Sequence, residues 1–205
     1  MVPERVLLAR HGKTAWNAEG RLQGQLDSPL LEEGQEHARQ LADLARRRGV
    51  DAVFCSPLGR ARTTAEVCAG TLDLDVTVID ELAEVHHGQM AGMTESEIRE
   101  RFPGQREDRH DDKYAWRFPD GESYADADDR AAAALERIFH GHRSRRPLIV
   151  SHEMIGRMLV RNLLNLSPDE ALARSQPHDT VFEITMKART LTALRTSARR
   201  PAAPR

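Results

Sequence analysis

Short aliphatic runs alternate with longer stretches of helical spacing along this chain, and each run stops at a polar cluster. The runs at 6–9, 51–55, 76–79 and 148–150 are too short for helices and read as buried strands. Arg10-His11-Gly12, Ser56-Pro57, Asp80-Glu81 and Ser151-His152 follow them or close them. Between the first two runs, residues 32–48 put His37, Ala38, Leu41, Leu44 and Ala45 on one helical face. They close on Arg46, Arg47, Arg48 and Gly49, a C-terminal signal. Similar spacing predicts helices over 58–69, 122–139 and 154–164.

Strands that alternate with helices imply an α/β fold, a three-layer sandwich whose mainly parallel central sheet is flanked by helices. Ligands of such sheets bind beyond the carboxyl ends of the strands, which predicts His11, Ser56, Glu84 and His152 at one rim. A length of 205 residues favours one folding unit. We read it as a single domain over 1–195 and a mobile tail over 196–205, the tail having no apolar period. Residues 102–121 are polar and charged and form an excursion over the rim, a lid. Tyr114, Trp116 and Phe118 alternate within it, either to meet a ligand or to anchor the loop.

Composition narrows the function classes. Hydrophobic residues make up 40% and charged residues 30%, with a formal charge of −2, so the chain is neither disordered throughout nor a basic nucleic-acid or acidic-lipid binder. The longest apolar run, 131–135, is far below the roughly 18 residues of a membrane span, and the N-terminal apolar stretch is too short for a secretory signal. A cytoplasmic location is expected. Cys55 and Cys68 form no CxxC pair, and Cys55 reads as a reduced core thiol. Leu163, Leu164 and Leu166 suit either a core or an interface, so a homodimer stays open.

The chemistry concentrates after the first strand. Gly12-Lys13-Thr14 hints at a phosphate-binding loop, but that motif needs a glycine at position 7, where Leu7 stands. Arg10 beside His11 points elsewhere: guanidinium grips phosphate or carboxylate, and imidazole serves as nucleophile or acid–base group.

LLARHGKTAWN, followed by RLQGQLDSPL, resembles the opening of the histidine phosphatase superfamily, the phosphoglycerate-mutase-like family. Ser56-Pro57-Leu58-Gly59-Arg60-Ala61-Arg62-Thr63-Thr64-Ala65 is similar to its second arginine motif. Leu82-Ala83-Glu84 with Gly88 and Gly92, Gly121-Glu122-Ser123, and Ile149-Val150-Ser151-His152 resemble its acid segment, its GES turn and its second histidine, in that family's order. The resemblance implies a phosphatase of small phosphorylated metabolites, with His11 forming phosphohistidine, Arg10, Arg60 and His152 holding the phosphoryl oxygens, and Glu84 as proton donor. Asn17, Gln23 and Gly24 would add contacts on the first loop. The scheme requires no metal or cofactor.

Physical chemistry supports these roles. A phosphoryl dianion needs fixed positive charge, which arginines keep at any working pH. Two guanidinium groups beside His11 should resist its protonation, and burial beside a dianion should favour protonated Glu84. Arg62 and Glu81 are the nearby alternatives to Arg60 and Glu84, and Ser56 reads as a strand-end hydrogen-bonding residue or helix cap. Three departures from the family stand out. Glu153 replaces the usual glycine after the second histidine, and is expected to point outward or, turned inward, to weaken phosphate binding. Lys13 replaces a frequent acid and is expected to add charge near the mouth. Val85 and His87 replace the arginine and tyrosine of the mutases, which favours a phosphatase over a mutase; an inactive phospho-ligand-binding protein is the third reading.

Overall fold

The computed structural model describes residues 2–105, 109 and 112–196. Six strands form one sheet: β1 (Arg5–Arg10), β2 (Ala52–Cys55), β3 (Val76–Val78), β4 (Pro147–Ser151), β5 (Thr180–Thr185) and β6 (Thr190–Arg195), in the order β3-β2-β4-β1-β5-β6. The first four are mutually parallel, and β5 and β6 run antiparallel at one edge. The expected α/β sandwich is present with its parallel centre, but the sheet is mixed because this hairpin extends it. The sequence reading placed no strands there.

Parity along β1 explains why both faces of the sheet are covered. Successive side chains point to opposite faces. Val6 and Leu8 join Ile149, Phe182 and Ile184 on one face, against α5 (Tyr124–Gly141) and α6 (Glu153–Leu164). Leu7 and Ala9 join Val53, Cys55, Leu148 and Val150 on the other, against α2 (Glu32–Arg48) and α3 (Gly59–Leu72). Leu163 is buried in the first cluster and Leu164 and Leu166 pack against it, which leaves these leucines in the core. Burial pushes the thiols up, Cys55 to about 11 and Cys68 to about 12, as expected of unreactive core cysteines.

Helix ends follow local sequence. Thr14, Thr94, Ser123 and Ser167 close capping boxes at α1 (Ala15–Glu19), α4 (Glu95–Arg101), α5 and α7 (Pro168–Leu172). Gly49 ends α2 in the left-handed conformation, as its position predicted. Glycine is obligatory where α2 meets the loop after β1. A Cβ on Gly12 would lie 2.3 Å from the Gly34 carbonyl oxygen, and one on Gly34 would lie 2.1 Å from that of Lys13. This close approach, with the Gly12 amide donating to Thr64 Oγ1 at 3.0 Å, fixes the backbone that carries His11.

The described residues 112–121 rest on the body through their rings. Phe118 is buried, with Trp116 at 4.9 Å, Tyr124 at 6.0 Å and His87 at 4.5 Å between ring centroids. Tyr114 donates its hydroxyl to Asp128 at 2.7 Å. The rings therefore anchor the loop. Residues 197–205 of the expected tail, and 106–108, 110 and 111 of the expected lid, lie outside the described residues. Among the described residues no helix is long and apolar enough to cross a membrane.

Candidate active site

The carboxyl ends of the parallel strands bring distant residues together. Arg10 ends β1 and His11 follows it; Ser56 follows β2; Ser151 ends β4 and His152 caps α6. The His11 and His152 rings stand 5.1 Å apart, and His178, from the turn before β5, stands 5.4 Å from His11 on another side.

Partners fix the tautomer of His11. A carbonyl only accepts, so Nδ1 carries the proton it donates to the Gly12 oxygen at 2.8 Å, and Nε2 keeps its lone pair, facing the Arg60 Nε–H at 3.2 Å. Burial, and then Arg60 and Arg10, hold the imidazole well below the usual histidine range. His178 donates through Nδ1 to the His11 carbonyl at 2.7 Å. Its pKa falls to about 4, through burial first and Arg10 second.

Arg60 is the inward arginine of its motif. It is 3% exposed and donates to the Gly24 and Leu26 carbonyls at 2.7 Å each and to Asp27 at 2.8 Å. Asp27 also takes the Gly59 amide at 2.6 Å, which ties the start of α3 to the first loop. Arg62 points to solvent, 3.8 Å from Glu66.

Glu84 sits at the N-terminus of α6. Its Oε1 accepts from the Val85 and Ile155 amides at 2.9 and 3.0 Å, and its Oε2 from the Met154 amide at 3.1 Å. The N-terminus of α6 thus holds a side-chain carboxylate, as unsatisfied first-turn N–H groups favour. Arg130 donates to the Glu81, Ala83 and Glu84 carbonyls and pairs with Glu122, which pins the segment that carries Glu84.

His152 is 1% exposed, with Nε2 2.7 Å from Ser56 Oγ, which also accepts from the Leu58 amide at 3.2 Å. Its Nδ1 is buried without a hydrogen-bond partner among the described residues. Burial, with Arg60 next in weight, holds this imidazole well below its ordinary value. A buried ring nitrogen without a partner is rare in folded proteins and sets this imidazole apart from the paired groups around it.

A cavity of about 300 Å³ opens onto this cluster. Arg10, His11 and Glu84 reach it, as do Asn17, Gln23 and Gly24 of the first loop and Glu153. Arg60 and His152 touch the His11 ring but do not themselves line this cavity. Asn17 and Gln23 also brace the loop itself: Asn17 Oδ1 accepts from the Thr14 amide at 3.1 Å, and Gln23 donates to Thr14 Oγ1 at 2.8 Å. Arg21, Arg109, Lys113 and Arg157 give the wall a cationic balance. Burial, then Arg109 and Arg157, push the Lys113 ammonium down.

Two of the three departures resolve. Lys13 turns away to Glu33 at 2.9 Å rather than toward the mouth, because the Gly12–Gly34 approach sets α2's first turn beside it. Glu153 turns inward, accepting from Arg10 and from Arg157 at 2.7 Å each.

The sequence reading did not single out Asp27, Arg157, Arg109, Lys113, Gln176 or His178 for this cluster. A polar turn, Gln176-Pro177-His178-Asp179, directly before an alternating strand was the readable signal for the last pair. Arg157 lay four residues beyond Glu153 on one helix face.

Fold and cluster together define an α/β protein with an imidazole–guanidinium pocket at the carboxyl rim of its sheet. Residues 6–198 match the family described as Histidine phosphatase superfamily (branch 1), and the chain belongs to that superfamily. It is 37% identical over 162 residues to a Salmonella arizonae protein named "Probable phosphoglycerate mutase GpmB", covering 79% of this chain and 75% of that one. Among solved structures it is similar to a mycobacterial glucosyl-3-phosphoglycerate phosphatase in complex with VO3, with a TM-score of 0.83, 26% identity, and coverage of 94% and 98%. The alpha-ribazole phosphatase from Shigella flexneri shares the fold at a TM-score of 0.83 and 24% identity, with coverage of 98% and 100%. Phosphatase or mutase chemistry is the range this family supports.

Proposed function

We propose that the protein is a metal-independent phosphatase that hydrolyses a small phosphomonoester through phosphohistidine at His11. The observation that supports this most is His11, whose unprotonated Nε2 accepts from Arg60, on the wall of a cationic cavity that Arg10 and Glu84 also reach. In the first step the Nε2 lone pair attacks phosphorus, the bond from phosphorus to the ester oxygen breaks, and Glu84 gives that oxygen a proton. Oε2 has one amide donor against two on Oε1, so we assign the proton to Oε2. In the second step water attacks phosphorus, Glu84 takes its proton, the bond to Nε2 breaks, and neutral His11 and phosphate result.

Arg10, Arg60 and His152 are assigned to the phosphoryl oxygens, where charge grows as the group transfers. We assign the Ser56 hydroxyl as the donor to Nε2 of His152, since its oxygen already accepts from the Leu58 amide, which leaves Nδ1 to carry a proton toward the ligand. Asn17, Gln23 and Gly24 shape the first wall. The reading carries with it a phosphorylated metabolite as partner, with no nucleic acid or membrane, a cytoplasmic location, and residues 102–121 as the lid of a single domain.

A mutase is the second reading, favoured by the name of the Salmonella relative. Against it, Val85 and His87 are both buried, and neither is a cation that would hold a substrate carboxylate. A panel of phosphorylated metabolites and an aryl phosphate, assayed for released phosphate, separates the two. The phosphatase releases phosphate with an early burst and tolerates chelators. Interconversion of 2- and 3-phosphoglycerate with little release would identify a mutase, and ligand binding with neither reaction an inactive binding protein.

A further inference from the structure

An acid at the first position of a helix normally faces solvent, where the helix dipole favours it. Glu153 does not. Its Oε1 accepts from Arg157, four residues along α6, and its Oε2 from Arg10 at the end of β1, both at 2.7 Å. Arg157 is anchored in turn, donating to the Leu172 carbonyl at 2.7 Å. The carboxylate is therefore clamped between two guanidinium groups that line the same cavity as His11. Arg10 and Arg157 each keep a buried Nε with no hydrogen-bond partner among the described residues, so neither guanidinium is saturated by Glu153.

On the reading of this cavity as a phosphate pocket, we infer that Glu153 is a tethered competitor of phosphate for Arg10, a residue that sets how tightly the pocket holds a free phosphate dianion. A negative group so close to a phosphate-binding guanidinium repels an incoming dianion and competes for that cation's N–H groups. The substrate overcomes that with contacts from its leaving group and with attack by His11. Inorganic phosphate has neither, so Glu153 returns to Arg10 and expels it. The consequence is weak product inhibition and rapid product release.

Glu153→Gln keeps the shape and one oxygen acceptor but removes the charge. Calorimetric titration with inorganic phosphate should show about tenfold tighter binding than in the unaltered protein, equivalent to about 1.4 kcal/mol. With an aryl phosphate the same variant should show a lower KM, an unchanged burst and a lower steady-state kcat, because release slows while phosphorylation does not. Glu153→Ala, with thermal unfolding as the check on folding, should move phosphate affinity in the same direction. Phosphate affinity that is unchanged or weaker in folded variants overturns the inference. If that happens while turnover with a burst persists, the phosphatase reading survives without it. If phosphate binds more tightly in the variants but no phosphomonoester turns over, the inference stands and the phosphatase reading falls. Failure of every form to bind phosphate also overturns the inference, and the phosphatase reading is then decided by turnover alone.

Discussion

Arg60 donates its Nε–H to the one lone pair left on the His11 ring, across 3.2 Å. The same guanidinium is gripped by the Gly24 and Leu26 carbonyls and by Asp27. With burial as the larger cause, it holds the imidazole well below the usual histidine range, and its hydrogen bond must open before that lone pair can meet a ligand.

Replacing Arg60 separates it from its neighbour. Arg60→Ala should lower kcat/KM for a phosphomonoester about 10²–10³-fold, the usual cost of removing one donor to a developing anion. Arg62→Ala should stay within about twofold, since Arg62 faces solvent near Glu66 and the energetic contribution of an exposed pair is small. Equal losses in steady-state assays of the two variants would contradict the assignment.

Glu84 is testable through the leaving group. Glu84→Gln should cost about 10²–10⁴-fold on an alkyl phosphate, whose alkoxide needs a proton, and much less on a nitrophenyl phosphate, whose leaving group does not. The diagnostic result is the difference between substrates. A uniform loss would mean that Glu84 only braces α6 through the Met154 and Ile155 amides.

Much of this site was legible because it follows from topology. His11, Ser56, Glu84 and His152 follow the ends of the parallel strands, so alternation of strand and helix was enough to gather them. Arg60, and the role given to Glu84, came from motif resemblance, because nothing in local spacing separates Arg60 from Arg62 or Glu84 from Glu81. The β5–β6 hairpin escaped because β6 is largely exposed, carries no continuous apolar run, and turns back through Arg189 at a φ of 49° with no glycine to mark the turn. Asp27, Gln176 and His178 escaped because their partners are remote in sequence. The Gln176 amide, for instance, donates to the Leu8 carbonyl across the β1–β5 seam.

Acid should destabilise the fold through its buried histidines. Burial, with help from Arg109 at His87 and Arg10 at His178, holds these two near 3 and near 4, and His11 and His152 are also held well below 6.5. The unfolded chain takes up protons near pH 6.5 that the folded chain refuses, so stability is fully present above that value and is lost as pH falls below it. His87→Asn should flatten this dependence by up to about 1.4 kcal/mol per pH unit between roughly pH 6 and 4. Denaturant unfolding at several pH values measures it, and identical slopes in both proteins would argue against a neutral buried His87.

The same depression bears on catalysis. Because His11 stays neutral well below the ordinary histidine range, burst amplitude should not fall as pH drops from about 8 through 6.5. A burst that disappears with a midpoint near 6.5 would show that His11 titrates like an exposed histidine.

The most direct test is to quench the protein during turnover of an aryl phosphate and locate the phosphoryl group by peptide mass spectrometry under alkaline conditions. We expect one acid-labile phosphoryl group on the peptide carrying His11, its loss in His11→Ala, and no turnover by that variant. Phosphorylation at another residue, or turnover that persists without His11, would contradict the account.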